Sequence, residues 1–149
     1  MPTLSQIETA ICARLRAQIP YLRACASLAD FLARDLEDLE TIALQLPAAY
    51  VAYEGGEYEH LVSGVQDRTM LFAVLAVVAN YRGEESVRHG MGAEKGAYDL
   101  LEDIRAALSD QDCGIAMDPL LPIREGAIDG NDALQIYGIT FRTRCRATL

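Results

Sequence analysis

Near the N-terminus, apolar positions recur at helical spacing: Leu4, Ile7, Ile11 and Leu15 fall on one stripe of an α-helix. Ser5 followed by Glu8 reads as a capping box at its start, and Pro20 stops it. Arg14 and Arg16 lie toward its C-terminal end, where the helix dipole favours positive charge. Residues 21–28 are short and mixed and read as a brief strand. From Asp30, a capping residue, the stripe Phe31, Leu32, Leu36, Leu39, Ile42 and Ala43 predicts a second helix that Pro47 ends. Asp35, Glu37, Asp38 and Glu40 face away from that stripe, as a solvated acidic surface does.

Residues 49–53 (AYVAY) read as a strand, closed by a turn at 54–57 in which Gly55 and Gly56 supply positive φ angles. Residues 70–79 (MLFAVLAVVA) are apolar at both parities. Leu71, Ala73, Leu75 and Val77 take one face, and Phe72, Val74, Ala76 and Val78 the other. A half-solvated strand alternates, so both faces of this one need covering, either by elements of the same chain or by a partner subunit. Residues 82–92 are a polar, glycine-containing loop. Ala97, Leu100, Leu101, Ile104 and Leu108 predict a third helix, ended by Gly114. Pro119 and Pro122 mark an irregular connection leading to Gly126 and a turn cluster at 129–132. The last strand spans 134–147, with Ile139, Phe141, Cys145 and Ala147 on one parity and Arg142, Arg144 and Arg146 on the other. A row of arginines on a strand face calls for solvent or carboxylates. The expected class is α+β in one domain, residues 1–149, with a mixed or antiparallel sheet of about four to five strands packed with about three helices.

Composition narrows the picture. The 149 residues are 51% apolar and 23% charged, ordinary for a globular chain that can bury a core. No apolar run approaches the roughly 18 to 20 residues of a membrane-spanning helix, and the N-terminus lacks the basic-then-apolar pattern of a secretory signal. The net charge of −9 is uneven. Arg14, Arg16 and Arg23 outweigh Glu8 in residues 1–26, and three arginines close the chain, so the acidic excess lies between. An acidic body opposes tight nucleic-acid binding. Twelve of the 13 basic residues are arginine, which suits structured ion pairs at protein surfaces. Cys12, Cys25, Cys113 and Cys145 form no C-x-x-C pair and fit no common zinc spacing, so they read as small apolar residues.

The catalytic motifs are missing. His60 and His89, the two histidines, fall in predicted polar loops, and no G-x-S-x-G elbow surrounds Ser27, Ser63, Ser86 or Ser109. His60 with Glu57 and Glu59 is the best metal candidate, but on a hairpin the three alternate awkwardly. Glu102 and Asp103 point to different sides of their helix. Neither Gly55-Gly56 nor Gly90-Met91-Gly92 fits a phosphate-cradling motif. No catalytic residue, metal ligand or cofactor is therefore expected.

Several segments together resemble a family of small tail proteins of Mu-like phages and prophages. They are I-E-x-A-I-x-x-R-L (residues 7–15), L-P-A-x-x-V-x-Y-E-G-G (46–56), the apolar strand ending in N-Y-R (80–82), G-A-Y-x-L-L-E-D-I-R-A-x-L (96–108) and the closing strand (136–143). Residues 82–95 match nothing in that pattern. The resemblance implies a role like that of phage tail terminators: an α+β subunit assembling as a ring, a hexamer, on the finished tail tube. There it stops polymerisation and presents the head-joining surface. It also implies tube, sheath and neck proteins as partners and a life between the host cytoplasm and the virion tail; for such a ring the net charge of −9 suggests an acidic lumen that DNA passes without specific binding. A head-completion or neck protein is the near alternative, and a small ligand-binding or hydrolytic domain the distant one. The expected subunit interface combines Leu71, Ala73, Leu75 and Val77 with Arg142, Arg144 and Arg146.

Overall fold

The computed structural model describes residues 1–28, 46–79, 96–130 and 134–148. The expected helix from Asp30 and the loop at 82–92 lie outside the described residues. Within them the order is α1 (Leu4–Gln18), β1 (Ala24–Ser27), β2 (Ala48–Val62), β3 (Val65–Ala79), α2 (Ala97–Leu108), β4 (Leu121–Gly130) and β5 (Leu134–Thr148). The strands form one five-stranded sheet in the order β1-β2-β3-β5-β4. β1 pairs with β2 in parallel and every other pair is antiparallel, so the sheet is mixed and the class α+β.

Both helices pack on one face of the sheet. Ile7, Ile11 and Leu15 of α1 and Leu100, Ile104 and Leu108 of α2 are buried against Val51, Phe72, Val74, Ile139 and Phe141. The Arg14 Nε–H donates to the Ala107 carbonyl at 2.9 Å, tying the two helices together. The cap of α1 differs from expectation. Thr3 accepts from the Gln6 N–H at 3.1 Å while Gln6 accepts from the Thr3 N–H at 2.8 Å, two residues before the Ser5–Glu8 pair. Such a pair satisfies two of the backbone donors that a helix start leaves open.

Three boundaries depart from the sequence reading. First, residues 54–57 are not a turn. β2 bulges at Glu54, runs on through Gly55 and Gly56, which pair with Leu71 and Met70, and reverses only at Ser63–Gly64, giving a fifteen-residue strand. Gly55 has φ +126°, and a Cβ at Gly56 would press into the Thr69 carbonyl and the Tyr53 hydroxyl. The glycines therefore permit a bulge and a close approach rather than a reversal. Second, α2 ends at Leu108 with Ser109 as its C-cap, and the chain turns at Asp110 (φ 60°) before reaching Gly114. Third, the supposed irregular connection after Pro119 is β4, which contains Pro122 and has a neighbour only on its β5 side. A proline with no ladder hydrogen to give is tolerated on such an edge. The strand expected at 21–28 forms over Ala24–Ser27, and the last strand forms one residue longer than expected.

Candidate assembly surface

The face of the sheet opposite α1 and α2 carries all the residues singled out for an interface. Strand alternation and register place Leu71, Ala73, Leu75 and Val77 there on β3, beside Arg142, Thr140, Gly138 and Ile136 of β5 respectively. Arg144 and Arg146 continue the row beside Thr69 and Asp67. The face is graded along the strands. At one end, Leu46, Ala48, Tyr50, Val77 and Leu134 form a buried apolar cluster with Leu75 and Ile136 packed against it. At the other end, Arg142, Arg144 and Arg146 are exposed, while their alternating neighbours Phe141, Thr143, Cys145 and Ala147 are buried.

The arginines are not equivalent. Asp67, its side chain 7% exposed, takes the Arg146 Nε–H at 3.1 Å and lies 3.7 Å from Arg144. Arg144 also donates through Nε to Asp118 at 3.0 Å. The Asp118 N–H donates to the Arg144 carbonyl at 2.8 Å, and Thr143 Oγ1 donates to the Asp118 carbonyl at 2.5 Å. The bond to Asp67 holds the Arg146 guanidinium above its ordinary pKa. Two of the three arginines thus neutralise a nearly buried carboxylate of their own chain, as a buried charge requires. Arg142 has no carboxylate partner among the described residues, and it stands between Leu71 and Leu121 in the register. Further along the same face, Glu54 accepts from Arg124 at 2.6 Å and from Thr140 Oγ1 at 3.2 Å.

The potential chemical groups do not converge. Glu57 and Glu59 share a face of β2 with one another, while Tyr58 and His60 take the opposite one, which separates the metal candidate into two sides. His60 sits on a strand rather than in a loop, and is exposed. His89 lies outside the described residues. Among the described residues no three His, Cys, Asp or Glu side chains are grouped as a metal site would need. Cys25 and Cys145 are buried; Cys12 and Cys113 are partly so. The hydrogen bond to Cys25, with burial, pushes the Cys12 thiol well up, so it stays a thiol at neutral pH. Glu102 pairs with Arg105 at 2.6 Å on the outside of α2, whereas Asp103 accepts from the Tyr21 hydroxyl. A cavity of about 630 Å³ between α1 and the loop at 114–116 is lined by Pro2, Ser5, Thr9, Ala13 and Ile115 among others, with no acidic or basic side chain in its wall. Such a wall offers neither a general base nor a paired charge.

Sequence reading missed the two sheet edges. β4 is exposed along Leu121–Ile128 and carries the exposed apolar residues Leu121, Ile123 and Ile128. The β2 arm beyond Tyr53 is exposed almost throughout, with Tyr58, Leu61 and Val62 bare. Arg68 of β3 lies over the Tyr58 and Tyr53 rings, 5.5 and 6.0 Å from their centroids.

The family model described as Bacteriophage Mu, Gp37 matches residues 3–144. Among solved structures, a chain of the virion of a native gene transfer agent (GTA) particle has a similar fold, with a TM-score of 0.58 at 12% identity. The likeness covers 95% of each chain. No curated protein matches the chain in sequence.

Proposed function

Because the chain belongs to the Bacteriophage Mu, Gp37 family, we propose that it is a structural subunit of a phage particle, and specifically the terminator of a tail tube. The observation that carries this reading is the family match over nearly the whole chain. The fold shared end to end with a virion chain of a gene transfer agent supports it. What the residues offer is consistent with that role. The described part of the molecule provides a graded apolar and basic sheet face and two bare sheet edges, and its side chains gather at no reactive centre. Subunits of this kind act by position, so the expected partners are further copies of the chain and the tube, sheath or neck proteins they meet. On this reading the subunits form a ring, a hexamer, on the tube end. The acidic excess lies in the body of the chain, which lets DNA pass without being held. The chain performs no catalysis in this role.

The proposed contact surface comprises Leu71 and Leu75 with Arg142, Arg144 and Arg146; Ala73 and Val77, expected beside them, are 5% and 0% exposed and already covered within the chain. Since Arg144 and Arg146 already bind Asp67, Arg142 is the member of that row available to a neighbour. Electron microscopy of particles assembled without the protein tests the role. Tubes much longer than normal are expected of a missing terminator. Tails of normal length without heads would replace this reading with that of a neck protein, and intact infectious particles would end both.

A further inference from the structure

Among the described residues, the sheet is open on both sides. β1 covers β2 only over Ala48–Val51, so the outer edge of β2 from Ala52 to Val62 has no neighbouring strand. At the opposite side nothing pairs with the outer edge of β4. Exposed sheet edges with apolar side chains invite pairing with another chain and are normally blunted. These two are not. Val62 is 61% exposed and Ile128 60%, with Tyr58 and Leu61 on the first edge and Leu121 and Ile123 on the second. Among the described residues, six of the eight exposed large apolar side chains therefore sit at these two edges, the others being Met1 and Tyr98.

We propose that the β2 arm of one subunit docks along the β4 edge of a second copy of this chain, head to tail. Two observations select that occupant. Strand direction is the first. β2, β3, β5 and β4 alternate, so β4 runs opposite to β2, and a copy related by simple rotation brings the two edges together antiparallel. Charge is the second. Among the described residues, Glu57 and Glu59 are exposed on the arm without ion-pair partners, and Arg142, with no carboxylate partner there either, lies beside Leu121 at the end of the β4 edge on the same sheet face. Opposite charges there fix register and partner choice more than affinity. Because the two edges differ, the contact is heterologous and propagates to a third copy until the rotation closes. The edges are staggered along the strands, β4 starting level with Gly55 and the arm running on past it. Tilted strands in a closed assembly absorb such a stagger. This proposal rests on the reading of the chain as a self-assembling subunit and names the surface by which it would do so.

Two variants separate the proposal from that reading. Leu61→Arg/Val62→Arg spoils the arm and leaves the β4 edge; Ile123→Arg/Ile128→Arg spoils the edge and leaves the arm. Far-UV circular dichroism and thermal melts establish that each is folded, and Val62→Thr with Ile128→Thr are milder substitutes for a variant that is not. Mass photometry over a concentration series, alone and with purified tail tubes, first reads wild-type assembly. Each arginine variant alone is expected to self-associate about a hundredfold more weakly than wild type, since it buries charge in an apolar contact. An equimolar mixture is expected to stop at heterodimers, because one sound arm meets one sound edge. If wild-type protein assembles and either variant assembles as well as it does, the arm-on-edge contact is wrong while the assembly reading stands. A mixture that stays monomeric also overturns the contact. A wild-type chain that joins neither itself nor a tube overturns both.

Discussion

On the face covered by α1 and α2, Phe72 and Phe141 meet directly across β3 and β5 and are sealed from water. One residue further along β5, on the other face, Arg142 stands in solvent beside the partly exposed Leu71. The same two strands thus serve two environments. One is closed and held by dispersion and desolvation, so its stability scales with the apolar area removed from water. The other is open at its basic end and is held by ion pairs around one nearly buried carboxylate, Asp67. Ion pairs with exposed partners contribute little net stability, but their loss strands the buried charge. The helix-covered face fixes the fold together with the buried cluster of Leu46, Ala48, Tyr50, Val77 and Leu134 on the opposite face, and only the basic end of that face is open to contacts.

Several substitutions would break or sharpen that contrast. Phe141→Ala should have the largest effect, about 3–5 kcal/mol, because a fully buried ring leaves a cavity between two strands and a helix layer. The readout is the denaturant midpoint at an unchanged slope, and a loss below about 1 kcal/mol would show that this face is not the core. The double change Arg144→Ala/Arg146→Ala should come next, lowering the denaturant midpoint by leaving the nearly buried Asp67 without a cation. Adding Asp67→Asn should recover most of it. Failure to recover would mean that the arginines stabilise through their packing instead.

Tyr21→Phe should cost about 1 kcal/mol at neutral pH through loss of the hydrogen bond to Asp103. Burial, and then that bond, push the Tyr21 phenol above its usual pKa. Its contribution is therefore complete below the unfolded value of about 10 and fades as pH rises beyond it. The gap between wild type and variant should narrow above that pH in paired melts, and a gap independent of pH would contradict the assignment. Arg142→Glu should change stability least, within about 0.5 kcal/mol, since the side chain is exposed and has no partner among the described residues. Sedimentation should nonetheless show weaker self-association. A large loss of stability with unaltered assembly would invert the comparison.

The sequence was most legible where burial is one-sided and periodic. The stripes of α1 and α2 and the parity of Arg142, Arg144 and Arg146 against Phe141, Cys145 and Ala147 appear in the structure as read, because a covered face imposes its spacing on the chain. Reading failed where no face is covered. The β2 arm is solvated on both sides, so EGGEYEH carries no alternation, and Gly55–Gly56 looked like a reversal when they follow a bulge at Glu54 within a continuous strand. β4 is an edge exposed along its length, and Pro119 and Pro122 made it look irregular. The cap of α1 was misplaced by two residues because Ser5–Glu8 and Thr3–Gln6 are both chemically able to form it, and backbone geometry chose the latter.

For the interface residues, parity alone determined that Leu71, Ala73, Leu75 and Val77 share a face, and likewise the three arginines, since strand alternation is local. That the two rows lie on the same side of one sheet was decided by the β3–β5 register, which the chain sets only when distant segments meet. The same holds for the unequal roles of the arginines. Charge can be counted in a sequence, but whether a guanidinium is already committed depends on which carboxylate the fold brings within reach, and here Asp67 claims two of the three.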